Sequence, residues 1–233
     1  LKTIFNLYTI YKKTTPTIVY QVTMKPVIYG TLISRLLKIP TVNAVSGLGY
    51  NFTDKRQGVV QKIMIFLMKL GFNKDNNHLV FENKDDYEDL EAFKVLSKKN
   101  NFSVIKGIGV NLNNFKFEDV VQKEKLIILF PARMLWDKGV KELVEASKIL
   151  HKKYAHKIYF KLCGMVDIGN LESISEDYLN TIEVENYLKW YGHQTDIKSI
   201  YKSADIVVLP SYREGLPTSL IEACATGRPI VTT

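Results

Sequence analysis

The chain has 233 residues, 46% hydrophobic and 24% charged, which suits one large or two modest globular domains and excludes a disordered or low-complexity protein. Its formal net charge of +8 is unevenly placed: residues 1–80 hold eleven Lys or Arg against Asp54 and Asp75 alone, a field that attracts lipid headgroups, lipid diphosphates or nucleic acid. No apolar run reaches the roughly 20 residues of a membrane-spanning helix, and no signal-peptide pattern is read.

In chain order, short β-branched runs alternate with longer helical patterns, the text of βαβ units around parallel sheets. A helix opens the chain. Strands are expected at Thr17–Tyr20, Thr41–Val45, His78–Phe81 and Ser103–Lys106. Between them lie helices over Val27–Lys38, Gln57–Gly71 (closed by its glycine) and Asp85–Phe93, the last capped by Asn83 with carboxylates in its first turn. Asn111–Lys125 is rich in Asn and charge and reads as an interdomain linker. The alternation then restarts. Strands are expected at Leu126–Phe130, Ile158–Cys163, Tyr187–Tyr191, Ile206–Leu209 and Ile230–Thr232, with helices at Gly139–His151, Asp196–Lys202 and Leu216–Thr226. Ser173–Thr181 reads as a polar insertion. The simplest architecture is α/β: two Rossmann-like domains, 1–115 and 116–233, with a cleft between them.

Cys163 and Cys224 lie in apolar runs and read as buried thiols of a reducing compartment. No CxxC or His/Cys cluster suggests a metal, so none is expected.

The informative segment is Pro210-Ser211-Tyr212-Arg213-Glu214-Gly215-Leu216-Pro217-Thr218-Ser219-Leu220-Ile221-Glu222. A buried strand ends at Leu209, a tight loop follows, and Pro217 suits the first turn of a helix. The free amides from Gly215 and Leu216 to Thr218 can face an anion, favoured by the helix dipole. Carboxylates accept hydrogen bonds from paired sugar hydroxyls, and Glu214 and Glu222 bracket the cradle. Taken alone, the two also fit a helix cap and a solvated helical residue. Arg133 and Lys138, in Phe130-Pro131-Ala132-Arg133-Met134-Leu135-Trp136-Asp137-Lys138-Gly139, could stabilise a leaving diphosphate, or form a surface pair.

Glu214 and Glu222, with GLPTSLI between them, resemble the E-x7-E motif of family 4 glycosyltransferases of the GT-B fold. The Arg133–Lys138 turn resembles the first βα turn of that family's C-terminal domain. Further similarity lies in Met24–Gly30, Val45–Thr53, Val80–Asn83 and Gly107–Asn111, towards the bacterial branch that builds capsule, lipopolysaccharide or lipid-linked glycans. The resemblance implies a retaining sugar transfer from a nucleotide diphosphate, UDP by family default, to a lipid-linked or oligosaccharide acceptor, with no tightly bound cofactor. It gives Glu222 the ribose, Glu214 the donor sugar, residues 215–218 the diphosphate, and Arg133 and Lys138 the leaving charge. Many members carry a His where Ser46 stands; Ser46 can donate a hydrogen bond but carries no charge near neutral pH. The resemblance also implies a first βα unit before Leu1 and closing elements after Thr233, hence little activity from these residues alone.

The basic, apolar helix around Ile63–Met68, flanked by Lys55, Arg56, Lys62 and Lys69, reads as a core helix whose edge can rest on the inner, anionic face of the cell membrane, so a cytoplasmic, peripheral enzyme is expected. Alternatives are a nucleotide-sugar epimerase, or a non-catalytic nucleotide-sugar-binding remnant. A nucleic-acid partner is not expected, since the basic stretch lacks aromatic interleaving or helix-turn-helix text.

Overall fold

The computed structural model describes residues 2–48, 52, 58–73, 75–97, 100–121 and 123–233. Lys55, Arg56 and part of the Val45–Thr53 segment lie outside them. The chain divides into two compact units, Leu1–Ile108 and Gly109–Thr233, earlier than the boundary expected at 115. The stretch expected as a linker is instead fastened to the second unit. Phe115 meets Tyr201 edge-on at 6.0 Å between ring centroids. Lys198 Nζ donates to Asn114 Oδ1 at 3.1 Å, and Lys123 pairs with Asp205 at 3.1 Å.

The first unit runs α1 (Lys2–Thr14), β1 (Val19–Val22), α2 (Met24–Leu37), β2 (Thr41–Val45), α3 (Val59–Phe72), β3 (Asn77–Phe81), α4 (Lys84–Ala92) and β4 (Asn101–Val104). Its strands are parallel in the order β1-β2-β3-β4. Alternation decides the burial: Thr41, Asn43 and Val45 point inward on β2, as do Asn77, Leu79 and Phe81 on β3. Two of those inward residues are amides, and burial is tolerable because they satisfy one another. Asn43 Nδ2 donates to Asn77 Oδ1 at 2.6 Å, Thr31 Oγ1 donates to Asn43 Oδ1 at 3.1 Å, and Asn77 Nδ2 donates to the Phe72 carbonyl at 3.1 Å. Asn83 caps α4 as expected, accepting from the Asp86 amide at 2.7 Å. Gly71 does not close α3. It sits inside the helix, where an added Cβ would lie 3.3 Å from Thr31 Cγ2, so it serves the close packing of α3 on α2. α3 buries Met68 and Phe72 and exposes Val59, Val60, Ile63 and Phe66 beside Lys62 and Lys69. Among the described residues, no helix is long and apolar enough to cross a membrane.

The second unit runs β5 (Leu126–Pro131), α5 (Val140–Tyr154), β6 (Ile158–Cys163), α6 (Glu176–Ile182), β7 (Leu188–Trp190), α7 (Ile197–Ser203), β8 (Ile206–Leu209), α8 (Thr218–Ala225) and β9 (Ile230–Thr232). Its sheet is parallel throughout, in the order β7-β6-β5-β8-β9, so β5 is central. One face packs Phe130, Phe160, Leu162 and Leu188 under α5 and α6. The other packs Leu129, Cys163 and Val207 under α7 and α8. Each fully buried large side chain contributes about 1.5–3 kcal/mol by leaving water. α6 was not expected within the Ser173–Thr181 insertion, although its signal is local: Ser175 accepts from the Tyr178 amide, with Glu176 and Asp177 in the first turn. Cys163 is buried, and burial pushes its thiol up to about 11. Cys224 is exposed, against expectation, because α8 turns Ala223 rather than its neighbour to the core.

Truncating Asn43 should test the amide network. Asn43→Ala leaves Thr31 without its acceptor and removes a donor from Asn77, and urea unfolding should show a loss of about 2–3 kcal/mol.

Candidate functional site

β6, β5 and β8 are neighbours and run the same way, so the segments that follow them leave from one edge of the sheet. Ligands of open parallel sheets bind at that carboxyl edge. The segment after β8 carries Ser211 to Pro217 into α8. Pro217 is the N-cap residue, with extended φ −69° and ψ 117°, and the helix proper starts at Thr218. Expectation put Pro217 in the first turn. The difference arises because Leu220 and Ile221 donate to the Pro217 carbonyl, which makes that residue the last one outside the helix. The amides of Gly215, Leu216, Thr218 and Ser219 donate to no acceptor among the described residues. Four partially positive N–H groups are therefore free for an anion, at the end of a helix whose dipole favours one.

The segment after β5 forms the facing turn. Trp136–Lys138 make a single 3-10 turn ended by Gly139, whose φ of +79° is left-handed. A Cβ there would also stand 2.1 Å from the Pro210 carbonyl oxygen, so only glycine lets the two segments touch. Several bonds fasten them: Tyr212 donates its amide to the Asp137 carbonyl at 2.9 Å, and Ser211 Oγ donates to that same carbonyl at 3.2 Å. Exposed Tyr212 reaches over to α5, its hydroxyl donating to Glu142 Oε1 at 2.6 Å. This bond raises the Tyr212 pKa, since the carboxylate favours the protonated phenol.

Lys138 and Glu214 meet across the two turns at 2.7 Å, and both are mostly buried, at 14% and 24% exposure. Such a pair is better shielded from salt than a surface bridge. Arg133, the other expected cation, reaches Asp167 in the segment after β6, at 2.6 Å. Glu222 lies in the second turn of α8. Its Oε2 accepts from the Tyr201 hydroxyl at 3.0 Å, while that hydroxyl also lies 2.8 Å from the Ser219 carbonyl. Burial raises the Glu222 pKa, partly offset by the Tyr201 hydrogen bond. Tyr201 itself is shifted upward by burial and then by Glu222. The Glu222 Oε1 atom has no partner among the described residues.

Eight of the nine expected residues thus lie in the second unit, on the segments after β5 and β8 and the first turns of α8. Ser46 belongs to the first unit, exposed just after β2. Three contributors went unread in the sequence. Tyr201 looks like a core position of α7, which it is, and only the fold reveals its hydroxyl at Glu222. Tyr212 and Asp167 act through partners 70 and 34 residues away, which no local pattern announces. Among the described residues, no three His, Cys, Asp or Glu side chains gather as metal ligands.

The second unit is thus an α/β unit with an open helix N-terminus, two cations and two carboxylates at the carboxyl edge of its parallel sheet. The chain belongs to the glycosyl transferases group 1 family, whose description matches residues 111–233, while a glycosyl transferase 4-like description matches residues 1–83. It is 34% identical, over 99% of its length and 62% of the relative's, to N,N'-diacetylbacillosaminyl-diphospho-undecaprenol alpha-1,3-N-acetylgalactosaminyltransferase from Campylobacter jejuni. A UDP-Gal:alpha-D-GlcNAc-diphosphoundecaprenol alpha-1,3-galactosyltransferase from Escherichia coli is 25% identical over 99% of this chain and 61% of its own. HepE from Anabaena, solved with UDP-glucose, superposes with a TM-score of 0.75 at 16% identity, covering 98% of this chain and 62% of that one, which establishes the GT-B type of fold. The chain thus spans a little over three fifths of the length of these relatives.

Two substitutions probe this edge. Gly139→Ala combines a disfavoured φ with a clash against backbone and should cost at least about 2 kcal/mol in denaturant unfolding. Glu222→Gln should leave the melting temperature at pH 7 unchanged or about 1–2 °C higher. The sign follows from the raised pKa: the folded state binds the Glu222 proton more tightly than the unfolded state, so the charged carboxylate detracts from stability above that pKa. The gain should vanish as pH falls below the ordinary carboxylate range, where both forms are neutral, and scanning calorimetry across pH checks it.

Proposed function

We propose that this chain carries the donor-binding part of a retaining glycosyltransferase that moves a hexose or N-acetylhexosamine from a UDP-sugar to an undecaprenyl-diphosphate-linked acceptor. The observation that carries the reading is the set of unpaired amides at the start of α8, with Lys138–Glu214 on one side and Glu222 further along the helix. In this reading the amides of Gly215, Leu216 and Thr218 hold the diphosphate, and Pro217, which has no N–H, sets the direction of the chain into α8. Glu222 keeps one oxygen on Tyr201 and offers the other to the ribose hydroxyls. Glu214 accepts from a hydroxyl of the transferred sugar. Lys138 has three N–H donors, so it can hold Glu214 and a phosphate oxygen together. Arg133 adds the second positive charge. Both cations meet negative charge that grows as the sugar–phosphate bond breaks, and this lowers the barrier. The leaving phosphate takes the acceptor's proton on the same face, which preserves the anomeric configuration.

The relatives from Campylobacter jejuni and Escherichia coli, whose names specify undecaprenyl-linked acceptors, support the acceptor class. The exposed Val59, Val60, Ile63 and Phe66 of α3, beside Lys62 and Lys69, support a peripheral site on an anionic inner leaflet, where such an acceptor resides.

A panel of UDP-sugars with an undecaprenyl-diphosphate glycan tests the reaction. In the enzyme that carries this chain, transfer should be detected with one of them, and Glu214→Gln should lower kcat by about 10²–10³ while UDP affinity changes less than about threefold. Free epimerised nucleotide sugar with no transfer would replace the reading by isomerisation. In liposome flotation, Ile63→Asp with Phe66→Asp should abolish binding to vesicles of acidic lipid at low salt, and binding that persists would remove α3 from the membrane face.

A further inference from the structure

The turn after β5 holds two cations, and each has a carboxylate from a different neighbouring segment. Lys138 has Glu214 from the segment after β8. Arg133 has Asp167 from the segment after β6. The first pair joins two residues of the donor site. The second joins a donor-site residue to one with no role in the reading above. We propose that Asp167 is a positioning residue for Arg133, aiming its guanidinium at the donor diphosphate; this rests on the reading above.

The support behind Asp167 is built, not incidental. The segment carrying it lies along the Arg133 turn, so close at Gly164 that a Cβ would stand 1.8 Å from the Ala132 carbonyl oxygen. Backbone bonds fix it there: the Met134 amide donates to Met165 O at 2.9 Å, the Ile174 amide to Met134 O at 3.0 Å, and the Trp136 amide to Glu172 O at 2.9 Å. Within the segment, Asn170 Nδ2 donates to Asp167 Oδ2 at 3.1 Å, the same oxygen that takes Arg133 Nη1. Asp167 is therefore held on its own side before Arg133 meets it.

The contact is end-on. One guanidinium nitrogen is used, at 2.6 Å, and Arg133 remains 54% exposed. A guanidinium has five N–H donors, so most remain for two phosphate oxygens. A half-exposed ion pair stabilises a fold only slightly, too little to explain a dedicated support. Restricting a long side chain before the ligand arrives removes ordering cost from the binding step instead.

Donor kinetics and UDP calorimetry on the protein and its variants test this. Asp167→Asn should raise the donor KM about 5–20-fold while kcat stays within about twofold, the pattern of lost uniform binding. Asp167→Glu should recover part of the affinity, and Asn170→Ala should shift KM the same way by less. In an Arg133→Ala background, Asp167→Asn should change nothing further. The proposal is overturned by a lower KM for Asp167→Asn, meaning that Asp167 competes with the diphosphate, or by an equal rise without Arg133, meaning that it only packs the segment. If the unmodified protein binds no UDP, the donor-site reading fails as well; if it binds UDP and Asp167→Asn matches it, only the role of Asp167 fails.

Discussion

The amides at the start of α8 carry partial positive charge that the protein leaves unanswered, and much of the second unit follows from keeping them so. A helix N-terminus buried without partners would be costly, so this one opens at the sheet edge, where an anion can approach. Its direction is fixed from behind. β8 is buried beside central β5, Pro217 ends the loop in an extended conformation, and Ala223 anchors the helix on the core. Because the strands are parallel, the charged turn after β5 arrives at the same edge without any further device.

The electrostatics there are arranged in opposed couples. Cations from the central segment face carboxylates from the segments on either side, so each of these four charges has a partner. This lowers the cost of holding four charged groups close together. Glu222 is the exception: its partner is the neutral Tyr201 hydroxyl, and its raised pKa records the burial it endures. A carboxylate held at such a cost to stability is a candidate functional group.

Much of the fold was legible in the sequence because parallel sheets are written locally. Each β-branched run fell on or within two or three residues of a strand, and Asn83 announced α4 through an ordinary cap. The errors lie where side-chain chemistry outweighs pattern. The 111–125 stretch looks like a linker by composition, yet Phe115, Asn114 and Lys123 fasten it to the second unit. α6 was hidden by its polar surroundings, with Ser175 as its unread signal. For the candidate site, Pro217 and Gly139 mark their turns locally, whereas the roles expected of Glu214, Glu222, Arg133 and Lys138 came from the resemblance. Asp167, Tyr212 and Tyr201 were not, since each matters only through a partner that folding delivers.

The contact between Gly139 and Pro210 has a consequence for how such proteins diversify. With no room for even one carbon between these two backbones, neither loop can be remodelled by itself. A graft that brings in a foreign stretch at 210–217 must carry its matching turn from 133–139, and recombination that separates them should yield mismatched halves. The two stretches would then be inherited as one module, although seventy residues of chain separate them.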